Sequence, residues 1–147
     1  FGQDSFVRSL AYGQDNAGNR LWVAGAVANP PNSTATLAYS YNGMTGWTAA
    51  LNSKTGLFGG DAQVNSVAYG QDGNGNRLWV AGGQGTNNLA YSSNGITDWT
   101  AIANSQTALF GSTASQVYSV AYGEDSAGNR LWVAGANGTG ASGTTGE

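Results

Sequence analysis

The chain repeats itself. Ala11–Ala26 reads AYGQDNAGNRLWVAGA, Ala68–Gly83 reads AYGQDGNGNRLWVAGG, and Ala121–Ala136 reads AYGEDSAGNRLWVAGA. A second motif lies between these copies: Leu37–Ala49, LAYSYNGMTGWTA, returns as Leu89–Ala101, LAYSSNGITDWTA. A looser echo sets Leu57-Phe58-Gly59-Gly60 against Leu109-Phe110-Gly111-Ser112, and the opening Phe1-Gly2 continues it. Ala11 to Ala68 spans 57 positions and Ala68 to Ala121 spans 53, the difference falling in the insertion around Asn29-Pro30-Pro31-Asn32. Near-identical units of this kind mean one small structure made several times, each copy burying its apolar face against the next.

The middle repeat gives the strands. Val64–Tyr69 (VNSVAY) is rich in β-formers and runs into a Gly- and Asn-rich turn, Gly70–Asn76. Leu78–Ala81 (LWVA) follows and ends at Gly82-Gly83. Asn88–Ser92 (NLAYS) precedes Asn94-Gly95, a strong two-residue hairpin signal with positive φ expected at its glycine, as at Asn42-Gly43. Trp99–Ile102 (WTAI) is the fourth strand. LWVA has no polar alternation, so both its faces are expected to be buried. That places Leu21, Val23, Leu78, Val80, Leu131 and Val133 in the core. No window carries a helical period, and strands alone are expected.

Four antiparallel strands per repeat with both sheet faces covered describe an all-β protein of β-propeller blades. A β-solenoid would need shorter repeats, and a sandwich has no use for near-identical ones. The phase reads four strands, four strands, then two, because Asn137–Glu147 has poor strand character after Leu131–Ala134. The expectation is about two and a half blades in one repeat domain over 1–136, with repeats at 1–57, 58–110 and a partial 111–136. Residues 137–147 form a Gly/Thr/Ser-rich tail.

The pattern VNSVAYG…NRLWVAGG…NLAYSSNGITDWTAI resembles the bacterial neuraminidase repeat, or Asp-box repeat. That repeat occurs in sialidases, in the photosystem II assembly factor family and in secreted propellers. The box runs Ser-x-Asp-x-Gly-x-Thr-Trp in a hairpin between the third and fourth strands of a blade. Ser92 and Trp99 keep its end-to-end spacing, as do Ser40 and Trp47. Asn94 and Asn42 stand where the box has Asp, and Gly95 and Gly43 fall one place early. The resemblance reaches to about Ala136. It implies the fold and the phase of the blades, and no activity.

Composition narrows the chemistry. Charged residues are only 9% of the 147, against roughly 25% in ordinary soluble domains. Polarity comes instead from Gly, Asn, Ser and Thr, a balance that suggests a secreted or cell-surface protein. Apolar residues at 40%, with 5 Trp and 7 Tyr, are enough to build a core. There is no Cys and no His, which removes disulfides, thiolate metal sites and the commonest general base. A net charge of −3 with Arg8, Arg20, Arg77 and Arg130 scattered offers nothing to nucleic acid. No membrane-length apolar run or signal pattern is found, so the chain reads as a mature or excised product that does not insert in a membrane.

Several residues invite a site. Asp72-Gly73-Asn74-Gly75-Asn76 has oxygen ligands at alternate positions, like the start of a calcium loop. The equivalent turns place Ala17 and Ala127 at the Asn74 position and no bidentate Glu follows, so a tight turn is expected, with no metal and no cofactor. The pairs Asp15/Arg20, Asp72/Arg77 and Asp125/Arg130 would brace each hairpin as ion pairs, or present Arg20, Arg77 and Arg130 to an anion. Trp22, Trp79 and Trp132, with Trp47 and Trp99, would stack sugars or pack between blades, and Tyr12, Tyr69 and Tyr122 share the packing role. Glycoside hydrolysis needs two unlike carboxylates. Apart from the terminal Glu147, only Asp4, Asp61, Asp98 and Glu124 lie outside the repeat-locked positions. Glu124, which replaces Gln14 and Gln71, is the residue to test, and no catalytic residue is expected. Asn32-Ser33-Thr34 and Asn137-Gly138-Thr139 fit the glycosylation sequon.

These readings point to a non-enzymatic, self-assembling structural or binding module of a surface repeat protein. Its partners would be copies of itself, in a head-to-tail ring or filament, and glycans. The alternatives are a carbohydrate-binding propeller lectin, with one shallow pocket per blade at the Trp and Arg ladders, and a fragment of a sialidase-like glycoside hydrolase. The missing carboxylate pair disfavours the last.

Overall fold

In each repeat the AYG…NRLWVAG motif folds back on itself as an antiparallel hairpin. Its Leu-Trp-Val-Ala arm is apolar on both faces, and its central Asp closes the turn. The computed structural model describes residues 1, 5–27, 35–51, 53–59, 62–111 and 115–137. The three hairpins are β1 (Phe6–Gln14) with β2 (Arg20–Val27), β5 (Gln63–Gln71) with β6 (Arg77–Gln84), and β9 (Gln116–Glu124) with β10 (Arg130–Asn137). All three share one register, with Tyr12 opposite Trp22, Tyr69 opposite Trp79 and Tyr122 opposite Trp132. Each ladder also carries a bulge that leaves Arg8, Asn65 or Tyr118 unmatched.

The second motif adds an outer pair to the first two hairpins. These are β3 (Leu37–Ser40) with β4 (Thr48–Ala49), and β7 (Leu89–Ser92) with β8 (Thr100–Ala101). Two four-stranded units result, β1-β2-β3-β4 and β5-β6-β7-β8. A single bridge between Val27 and Gln63 links them into one curled eight-stranded sheet, while β9 and β10 form a separate two-stranded sheet. The architecture is all-β and antiparallel throughout.

Two expectations are corrected here. The chain is not strands only: Ser53–Phe58 forms one π-helical turn and Ser105–Phe110 a short helix, α1. Each spans the Leu-Phe-Gly echo and is too short to show a period. Each is also tied in by its first serine. The Ser53 hydroxyl accepts from the N–H of Thr36 and Leu37, and the Ser105 hydroxyl from the N–H of Asn88 and Leu89. The Asn-Gly pairs, in turn, are not two-residue hairpins, because β3 ends at Ser40 and β4 begins only at Thr48. Positive φ falls on Gly43 (72°) and Gly95 (74°) as expected, but on neither asparagine. The loop is shaped by side chains instead. Asn42 Oδ1 accepts from the N–H of Met44 and Thr45, and Ser40 Oγ from Asn42 and Gly43 while donating to the Thr45 carbonyl. Ser92 and Asn94 repeat the arrangement.

The main core lies between the two four-stranded units, where Leu21, Val23, Leu37, Phe58, Val64 and Trp79 are all 0% exposed. A smaller cluster of Val80, Leu89, Val117 and Val120 joins the second unit to the β9–β10 hairpin. Of the expected core residues, Leu21, Val23 and Val80 are buried and Leu78 is half-buried. Leu131 and Val133 are not: they are 45% and 63% exposed, because no described residue covers the outer side of β10. Asp4, Asp61, Gly2, the Asn29-Pro30-Pro31-Asn32 insertion, the first sequon and residues 138–147 of the tail lie outside the described residues.

Candidate functional site

The most developed chemistry in the molecule is the joint between consecutive units, and it occurs twice. At the first joint β5 and β6 present Val64, Val67, Tyr69, Arg77 and Trp79 to the β1–β2 hairpin. Val64 and Val67 fill the space over Gly25, and the Tyr69 ring lies flat on Gly13, so closely that a Cβ at either glycine would overlap them. A strand-interior glycine marks this kind of approach. Polar groups fix the register. Ser9 Oγ accepts from the N–H of Val67 at 2.9 Å, Gln14 Oε1 accepts from Arg77 Nε at 3.2 Å, and the Gln14 carbonyl accepts from Trp79 Nε1 at 3.0 Å.

The second joint copies the first. Val117 and Val120 cover Gly82, and Tyr122 covers Gly70. Ser66 Oγ accepts from the N–H of Val120 at 3.1 Å, Gln71 Oε1 from Arg130 Nε at 2.9 Å, and the Gln71 carbonyl from Trp132 Nε1 at 2.9 Å. Every unit thus has a projecting side, carrying two aliphatics, Tyr, Arg and Trp, and a receiving side, carrying Ser, two Gly and Gln, or Glu124 in the third.

This geometry decides what the ladder residues do. Trp79 and Trp132 each donate their N–H to the preceding hairpin and lean on their own tyrosines, with ring centroids 4.8 Å and 5.2 Å apart. Trp79 is 0% exposed and has no face left for a sugar. Arg77 and Arg130 do not turn to Asp72 and Asp125, as the ion-pair expectation had it, but reach across to the neighbouring Gln. Trp22 and Arg20 hold the same places on β2, where no described unit precedes them. Trp22 leans on Tyr12 at 4.9 Å. The structure therefore distributes the three Trp–Arg sets one per joint position and does not gather them into one pocket.

The aspartates are spent inside their own turns. Asp72 Oδ1 accepts from the N–H of Asn74 and Asn76, and its Oδ2 from Asn76 Nδ2 at 3.0 Å; Asp125 does the same with Ala127 and Asn129. The Asn amide, followed by the Asn N–H, holds both carboxyls below the ordinary 3.8. At Asp15 burial pushes upward, but the bonds from Asn19 outweigh it and the net direction is again down. With both oxygens of each carboxylate taken by N–H donors, the turns have the wiring of Asx turns, and no group of three or more His, Cys, Asp or Glu that would hold a metal exists among the described residues.

Two grooves remain. One, of about 350 Å³, is almost wholly apolar and lies between the second four-stranded unit and β10, lined by Leu78, Leu89, Ile102, Trp132 and Val133 among others. The other, of about 470 Å³, runs between the outer hairpins past Tyr39, Leu51, Ile96, Asp98 and Trp99. The indole N–H of Trp99 is buried with no acceptor. Sequence reasoning missed Ser9, Gly13, Gln14, Gly25 and their repeats as joint residues. A signal was present for the serine and the glycines: small residues that recur within strands in all three repeats, where no turn requires them.

No helix among the described residues is long and apolar enough to cross a membrane. Fold and site together define a repeat-built, antiparallel all-β protein whose units interlock through a repeated joint. No family model, curated protein or solved structure matches the chain.

Proposed function

We propose that the chain is a non-enzymatic, self-assembling module made of β-propeller blades, with its two four-stranded units as blades and the β9–β10 hairpin as the inner half of a third. It completes itself by packing against other copies, in a structural or binding role at a cell surface or outside the cell. The Asp-box resemblance supports the blade phase, and the Gly/Asn/Ser/Thr-rich composition supports the location. The observation that carries the reading is the apolar exposure at the two ends of the array. Val7, Leu10 and Tyr12 are 59%, 53% and 50% exposed at one end, and Leu131 and Val133 are 45% and 63% exposed at the other. The counterparts Val64 and Val117 are fully buried. At ~25 cal/mol per Å² of apolar surface, a few hundred Å² left wet at each end costs a large part of a domain's stability.

Sedimentation velocity of the 147-residue chain at micromolar concentration tests this reading. A concentration-dependent assembly is expected, and a compact monomer throughout would overturn it. A second reading, a carbohydrate-binding module, is favoured by one observation: Tyr39, Asp98 and the Trp99 ring line one open groove of about 470 Å³. Binding on a glycan array that disappears in Trp99→Phe would support it. A hydrolase is disfavoured by the use already made of Asp15, Asp72 and Asp125, which leaves Asp98 and Glu124 among the described carboxylates.

A further inference from the structure

We infer that the two ends of the chain are the separated halves of a third joint, of the same design as the two internal ones, formed between one copy and the next. The inference rests on the self-assembly reading and goes further in naming the surfaces, their register and the group that distinguishes this joint from the others.

Each half is present in full. On the first hairpin Val7, Leu10, Tyr12, Arg20 and Trp22 occupy the projecting positions of Val64, Val67, Tyr69, Arg77 and Trp79. Val7, Leu10 and Tyr12 stand more than half in water, or at half, while Val64 and Val67 are buried. On the third hairpin Ser119, Gly123, Glu124 and Gly135 occupy the receiving positions of Ser9, Gly13, Gln14 and Gly25. Gly13, Gly25, Gly70 and Gly82 are each roofed by a side chain of the next unit, but Gly123 and Gly135 have nothing within 4 Å. Two sockets and the side chains that fit them are thus both unfilled, at opposite ends of one chain.

The shape match alone would suit any further unit of this type. Charge selects the occupant. In both internal joints Arg donates to a neutral glutamine, Gln14 or Gln71. At the open end the same position is Glu124, exposed, and the arginine that meets it in a head-to-tail contact is Arg20, also exposed. The joint between copies is therefore the one ionic joint, with a charge-assisted bond where the internal joints have neutral acceptors. A receiving end with Glu and a projecting end with Arg attract each other and repel their own kind. This drives the unlike ends together as a heterologous contact.

Every projecting and receiving residue named lies on the first hairpin of its unit, so β9–β10 carries all the receiving residues.

The test uses the full chain in sedimentation and light scattering. Gly123→Ala with Gly135→Ala should leave the chain folded by circular dichroism, since open space surrounds both glycines, and should leave it monomeric at concentrations where the unsubstituted chain assembles. Glu124→Arg should weaken association by about tenfold, and Arg20→Glu in the same chain should restore it. Association should weaken as salt is raised, as an exposed ion pair requires. Should the glycine variant not fold, the Glu124 and Arg20 variants decide alone, both side chains being exposed. If the unsubstituted chain assembles and the glycine variant assembles equally well, this joint is wrong while self-assembly stands through another surface. If the glycine variant is monomeric but the charge swap restores nothing, the Arg20–Glu124 register is wrong. A chain that stays monomeric without substitution overturns both readings.

Discussion

The ring of Tyr69 rests on the backbone of Gly13, and one repeat later the ring of Tyr122 rests in the same way on Gly70. The contact does two things at once. It removes the last space between consecutive hairpins, and it positions the tyrosine to support the tryptophan whose N–H crosses the joint.

The glycine contact predicts an asymmetry between identical substitutions. Gly70→Ala drives a methyl group into the Tyr122 ring and should cost about 1–3 kcal/mol, as overpacking does. Gly123→Ala, at the equivalent place in the third hairpin, meets open space and should leave the unfolding free energy of the monomer within about 0.5 kcal/mol of the original. Urea denaturation of both variants under dissociating conditions measures the difference, and equal losses would contradict the joint geometry.

Trp79 is the largest fully buried side chain, and its N–H is bonded across the first joint. Trp79→Ala should lose about 3–5 kcal/mol. Trp79→Phe should keep most of the packing but strand the Gln14 carbonyl, with a loss of about 1–3 kcal/mol. Chemical denaturation would show the order Ala, then Phe, then the original chain in rising stability.

Ser105 holds α1 against β7 through one oxygen that receives two backbone N–H groups, those of Asn88 and Leu89. Ser105→Ala leaves both N–H groups buried without that acceptor, and a loss of about 2–3 kcal/mol is expected. Hydrogen exchange should quicken first at Asn88 and Leu89. Unchanged protection there would mean that the serine is not the anchor.

Acid should loosen the turns. The folded-state pKa values of Asp15, Asp72 and Asp125 all lie below the ordinary 3.8. Their contribution is therefore complete above that value and disappears as pH falls through the lower, folded-state values. The thermal midpoint should be flat from about pH 8 to about pH 5 and fall below about pH 4. Asp72→Asn together with Asp125→Asn should make the fall shallower. A midpoint that rises on acidification would reverse the sign and refute the assignment.

Much of this was legible in the residues. The strand order within each repeat, the division into four, four and two strands, and the burial of Leu21 and Val23 follow from LWVA and its repeats. The Leu-Phe-Gly segments were not readable as helix, because six residues cannot display a period. The Asn-Gly loops misled, because Ser40 and Asn42 supply hydrogen bonds that replace the tight turn the dipeptide usually makes. Leu131 and Val133 were placed inside because their sequence matches Leu21 and Val23. Burial, however, is a property of neighbours, and the same four letters are covered in one unit and bare in another. The arginines illustrate the limit at the site. Asp72 and Arg77 lie close in sequence, yet Arg77 bonds to Gln14, 63 positions away, a partner that only the stacking of units reveals.

The joint residues all sit on the first hairpin of each unit, while β2 and β3 are separated by a longer connection, Val27 to Leu37, than β6 and β7, Gln84 to Leu89. Length thus differs between repeats in this connection and is constant along the first hairpin. For protein engineering, the inner hairpin is a connector of constant gauge, and the outer pair with its Ser-Asn loop is a platform. The tip at Met44–Trp47, exposed throughout, is where an exchanged loop would be displayed; its repeat at 96–99 is held by the packing of Ile96 and Trp99 against the core.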